Sequence, residues 1–100
     1  MIRHLVLVKP NEKEYQKLIK NTLENKVLKL EEKVEGIVST QIGSDFSERS
    51  KGYEFIFIID FKDEQALHEW TDNKFHTPIR ETLKKHSEML VFDYYEGDFL

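Results

Sequence analysis

The chain has no cysteine, which excludes a disulfide framework and any thiolate chemistry. Long apolar runs are also missing. The longest is Phe55 to Ile59, far short of the roughly 20 residues that span a bilayer. Ile2 and Leu5 to Val8 are too short to form the apolar region of a signal peptide, so a soluble, cytoplasmic protein without a membrane partner is expected. No dense basic patch is present. The lysines are spread among glutamates and the formal net charge is -4, which argues against a nucleic-acid partner, because phosphate binding relies on clustered positive charge. The sequence contains no P-loop, no dinucleotide glycine motif and no Ser/His/Asp nucleophile pattern. His68 and His86 lack partners at metal-ligand spacing and read as surface or edge residues. Neither a metal nor an organic cofactor is expected.

What is present is a short chain whose first strand is apolar on both faces. One hundred residues allow a single domain, residues 1–100. Along the opening strand, which runs to about Lys9, Ile2, Val6 and Val8 share one face and Leu5 and Leu7 the other. A half-solvated strand would alternate apolar with polar residues, so this one needs cover on both sides. Helices can supply one layer, and a second copy of the chain is expected to supply the other. His4 lies on the face of Ile2, Val6 and Val8, where it needs a partner or a task.

Pro10 is expected to end the strand. Asn11 and Glu14 have the spacing of a capping box, and Tyr15, Leu18, Ile19, Leu23, Val27, Leu30 and Val34 form one stripe of a long helix closed by Gly36. Ile37 to Ile42 reads as an edge strand and Gly43 to Gly52 as the longest loop. Tyr53 to Phe61 reads as a second central strand. Asp63 caps a short helix that buries Ala66, Leu67 and Trp70. Asp72-Asn73 interrupts it, Thr77-Pro78 restarts it, and Ile79 and Leu83 carry its stripe on. Met89 to Tyr95 is the last strand. With right-handed crossovers, this order gives an α+β ferredoxin-like βαββαβ sandwich, with strands one and three in the middle of an antiparallel sheet.

Several segments resemble the stress-responsive dimeric α/β-barrel (Dabb) family. They are Met1-Ile2-Arg3-His4-Leu5-Val6, Arg49-Ser50-Lys51-Gly52-Tyr53, His76 at the helix break, and Val91-Phe92-Asp93-Tyr94. The resemblance covers essentially the whole chain. It implies two ferredoxin-like subunits paired through their open sheet faces into a dimeric α/β barrel, hence a homodimer. It also implies a stress-related role. Some plant members of that family are polyketide cyclases that close a ring by an aldol-type reaction without a cofactor. They place a histidine where this chain has His76 and a tyrosine near the position of Trp70. Here tryptophan stands for the phenol, and Asn73-Lys74 replaces a frequent His-Pro. Phe55 falls where a cyclase relative presents a polar pocket group.

Six residues besides His4 complete the candidate site. His4 and Asp93 fall opposite each other if strands one and four pair, and both have helix-side parity. A carboxylate so placed fixes a histidine tautomer, as in a catalytic dyad, although a buried pair can equally serve the fold. His76, at the helix break, is placed for a pocket rim or for closing the kink by a hydrogen bond. Trp70, Tyr15, Phe55 and Val91 are candidates to line an apolar ligand pocket. Two readings stay open. One is a protein that binds a small apolar or aromatic ligand, with cyclase- or lyase-like acid/base chemistry from His76, His4 and Asp93. The other is a non-catalytic, self-assembling stress protein with a solid core. A cavity reaching both histidines separates them.

Overall fold

The structure is a computed structural model describing residues 1–99. Its elements are β1 (Ile2–Pro10), α1 (Gln16–Asn25), α2 (Leu30–Lys33), β2 (Ile37–Ser44), β3 (Phe55–Phe61), α3 (Glu64–Thr71), α4 (His76–His86) and β4 (Ser87–Tyr95), with 3-10 turns at Lys13–Tyr15 and Val27–Lys29. The four strands form one antiparallel sheet in the order β2-β3-β1-β4. This is the α+β ferredoxin-like βαββαβ fold. The two strands that are apolar on both faces are the two central ones. Among the described residues no helix is long and apolar enough to cross a membrane.

The core lies between one sheet face and the helices. Ile2, Val6, Val8, Phe57, Ile59 and Phe61 meet Ile19, Leu23, Val27 and Leu30 on one side of the helical layer and Ala66, Trp70, Ile79 and Leu83 on the other. The opposite sheet face has no helix over it. There Leu5, Leu7, Ile56 and Ile58 are only half-buried, and Leu90 and Phe92 are 53% and 66% exposed.

Several boundaries differ from the sequence expectation, each for a local reason. β1 includes Pro10, which pairs with Ser87 of β4. Asn11 donates its N–H toward β4, to the His86 carbonyl. Strand N–H groups alternate sides, so position 10 would donate toward β3, where pairing has already ended at Val8. A proline loses nothing there. The capping box does not form. The helical region begins at a 3-10 turn after Glu12, without a side-chain cap, and Asn11 is held at the α4–β4 junction. The long helix divides at Lys26. Val27 and Leu30 are three apart, the spacing that aligns in a 3-10 turn, and both are buried. β2 runs on to Ser44, past a register shift at Val38 that turns this side chain outward. β3 starts at Phe55 rather than Tyr53, and β4 at Ser87 rather than Met89.

Two contacts fix where α3 sits. Asp63 accepts a hydrogen bond from the Ala66 N–H at the start of α3. Gly36 adopts a φ of +95°, and a Cβ there would sit 2.8 Å from that of Ala66. Only glycine lets α3 pack so closely over the α2–β2 turn.

Candidate functional site

β1 and β4 pair with His4 directly opposite Asp93, on the helix-facing side. The His4 Nδ1 contacts the Asp93 carboxylate. Because a carboxylate only accepts, Nδ1 carries the proton in that contact. The two ends of the pair differ in exposure. The His4 side chain is 14% exposed and that of Asp93 42%, so the carboxylate sits at the sheet edge and the imidazole points inward. The Phe61 ring meets the imidazole edge-on at 6.1 Å.

His76 arrives from the other layer. α4 starts at His76 itself, two residues before the expected proline start. Asn73 sets this geometry: its side-chain oxygen accepts the Phe75 N–H at 2.8 Å, and its carbonyl accepts the His76 N–H at 3.0 Å. The His76 Nδ1 donates to the Thr71 carbonyl at 3.2 Å, and its ring packs on Trp70 with centroids 4.7 Å apart. A carbonyl cannot donate, so the proton is on Nδ1 and Nε2 keeps its lone pair. Burial holds the His76 pKa below the ordinary histidine value. The bond to Thr71 opposes that shift, while the neighbouring Arg80 and His4 add to it. His76 is therefore a neutral base near pH 7.

Both imidazoles line one cavity of about 270 Å³ between the sheet and the helices. Val6, Phe57, Ile59, Leu30, Ile79, Leu83, Met89, Val91 and Trp70 make most of its wall. Among the described residues the ionisable side chains in the wall are His4, His76 and Arg80. The cavity thus brings together His4, His76, Trp70 and Val91, with Asp93 behind His4. Two expected lining residues lie elsewhere. Phe55 pairs with Val8, four residues along β1 from His4, or roughly 13 Å at strand rise, and it borders α1 and β2 instead. Tyr15 packs on His86, with ring centroids 4.5 Å apart, at the far end of α4 from His76. His86 is accordingly half-buried at the C-terminal end of α4. Arg80 and Asn73 were missed in the sequence. Arg80 follows His76 by four residues, the spacing that puts two side chains on one helix face, and could have been found from that. Among the described residues no three His, Asp or Glu side chains converge as a metal site.

A ferredoxin-like sandwich with a histidine-bearing cavity under its helices defines the class of this protein. The chain belongs to the stress-responsive A/B barrel domain (Dabb) family, whose model matches residues 2–96. Solved structures agree in fold. A protein of Arabidopsis thaliana superposes with a TM-score of 0.83 at 19% identity, covering 100% of this chain and 99% of that one. A protein of a Jannaschia species, described as dimeric, ferredoxin-like and of unknown function, gives 0.82 at 22% identity over 94% and 97%. A protein described as an antibiotic biosynthesis monooxygenase gives 0.75 at 14% identity over 98% and 100%. No curated protein sequence matches the chain.

Proposed function

We propose that this protein binds a small apolar or aromatic molecule in the cavity between sheet and helices and moves protons on it with His76 and His4, without a metal or organic cofactor. The observation that carries the reading is the convergence of two imidazoles on one apolar cavity, each with Nδ1 engaged and Nε2 left over. At about 270 Å³ the cavity lies near the lower end of the roughly 300–1,000 Å³ of ordinary ligand sites, which suits a one- or two-ring molecule. In the cyclase- or lyase-like chemistry we infer, His76 removes a proton from carbon beside a carbonyl. His4, oriented by Asp93, is the second proton-transfer group. Trp70 and Val91 hold the ligand's apolar body. A cavity reaching both histidines favours this reading over a purely self-assembling stress protein with a solid core.

The working unit we infer is a homodimer. Leu5, Leu7, Ile56, Ile58, Leu90 and Phe92 leave an apolar sheet face of the kind that seldom stays bare, and the Jannaschia neighbour is described as dimeric. Sedimentation equilibrium at micromolar concentration should give twice the 12.0 kDa chain mass; a 12.0 kDa species would refute the dimer. Native mass spectrometry of protein purified from its own host tests the ligand. A non-covalent adduct that disappears in a Trp70→Phe, His76→Ala variant is expected. A bare polypeptide mass, with no small molecule of any tested class bound, would count against the reading.

A further inference from the structure

Arg80 is the one permanent charge in the cavity wall, and no carboxylate of the described residues lies within ion-pairing distance of it. The carboxylate behind the His4 end of the cavity, Asp93, is engaged with that imidazole. His76 and Arg80 occupy successive turns of one face of α4, and the guanidinium is close enough to add to the depression of the His76 pKa. An arginine placed this way has two physical options. Its head can stay in water at the cavity mouth, or it can meet an anionic group of whatever enters. Arg80 itself is exposed, but the cavity wall beside it is apolar, so an anion held between the guanidinium and that wall is screened less than on open surface. The chain as a whole carries -4, which repels anions at long range. Any preference for them must therefore come from this one local cation.

We propose that Arg80 makes the cavity selective for a ligand that joins an apolar or aromatic body to a carboxylate. This rests on the ligand-binding reading of the cavity and narrows it to a substrate class. The guanidinium's paired N–H donors match the two oxygens of a carboxylate. The body then lies along Trp70 and the aliphatic wall, which leaves a carbon near the carboxylate end within range of the His76 Nε2, one helical turn away.

The test compares 2-naphthoate with its neutral isostere 2-naphthamide, using the indole N–H cross-peak of the single tryptophan, Trp70, as the probe of cavity occupation. Wild-type protein should bind the acid about tenfold more tightly than the amide. Arg80→Gln should bring that ratio to about one, and continued saturable binding of the amide shows that the variant is folded. Arg80→Lys should keep part of the preference. Equal affinity for acid and amide in the wild type, or a preference that survives in Arg80→Gln, would overturn the assignment and leave the ligand-binding reading standing. Failure of both compounds to shift the Trp70 signal would count against the ligand-binding reading itself, and this inference would fall with it.

Discussion

Consecutive residues of β1, Arg3 and His4, are each matched to an aspartate directly across the sheet, yet the two pairs are built for different ends. Arg3 points to the open sheet face and binds Asp60 of β3 through Nε and a second guanidinium nitrogen at 2.9 and 3.1 Å. Ser39 of β2 adds a third bond at 2.8 Å. The Asp60 side chain is only 4% exposed, and its carboxylate is shared among three strands. His4 points to the helix side and meets Asp93 of the edge strand β4, whose carboxylate is 42% exposed. The first pair is closed: both Asp60 oxygens are used, and nothing approaches it from a cavity. The second is open at one end, because the imidazole keeps a nitrogen free on the wall of an apolar cavity. A similar cross-strand pairing ties the sheet together on one face and leaves an imidazole on a cavity wall on the other.

The comparison predicts opposite signatures. Asp60→Ala leaves the Arg3 guanidinium and the Ser39 hydroxyl without their buried carboxylate partner, so it should lower stability by about 1–3 kcal/mol, with the affinity of a cavity probe unchanged. Urea unfolding and a probe titration on the same variant measure both. An affinity loss without a stability loss would reverse the assignment of the two pairs.

Acid should act on the closed pair next. The Arg3 guanidinium, against the cost of burial and with help from Ser39, holds the Asp60 carboxyl below the usual carboxylate range. Its folded pKa is lower than its unfolded one, so the stability it provides is complete above about pH 4 and is lost as pH falls through the folded value. Asp60→Asn should remove that part of the pH dependence. His76 is depressed too, and as a base it is most stabilising when neutral. Its contribution is present above about pH 6.5 and fades as pH falls below it. Stability curves of wild type and His76→Gln should therefore diverge as pH falls below about 6.5.

His76→Ala should cost about 1 kcal/mol, since it leaves the Thr71 carbonyl without its partner and uncovers Trp70, and it should abolish proton transfer on any bound ligand. An unchanged rate of ligand deuteration in this variant would remove His76 as the base. The smallest structural effect is expected at the exposed end of the open pair. Asp93→Asn should stay within about 0.5 kcal/mol of wild type yet reduce the fraction of His4 with its proton on Nδ1, read from imidazole 15N shifts. An unchanged tautomer would show that Asp93 does not orient His4.

Much of this was legible in the sequence because period-two alternation is unambiguous in β1 and β3. Once those strands are central, antiparallel order and helix-side parity make Asp93 a candidate to face His4, and the register of β1 and β4 brings the two opposite each other. His76 was marked by a different signal, the helix break between Asp72-Asn73 and Thr77-Pro78 together with the family resemblance. The less legible parts depend on distance along the sheet and not on parity. Phe55 has the correct face but the wrong end, and Tyr15 the correct stripe but the wrong end of α4. Alternation says which way a side chain points, not how far along the strand a cavity opens. Helix continuity at Lys26 was misread because the apolar stripe survives the change from α to 3-10 geometry, where the three-residue spacing of Val27 and Leu30 serves both. Arg80 escaped notice because an exposed arginine in a polar helix looks like any other solvated charge until the cavity beside it is seen.

The central claim is that the two imidazoles, and not the closed pair, face a ligand. It is tested most directly by recording the ring signals of His4 and His76 and the Arg3 Nε–H signal while 2-naphthamide is added to the intact protein. The account predicts that both imidazoles shift together, saturating at one common concentration, while the Arg3 signal stays still. Silent imidazoles beside a moving Arg3 would contradict it, placing binding on the open sheet face and leaving the histidines as part of the scaffold.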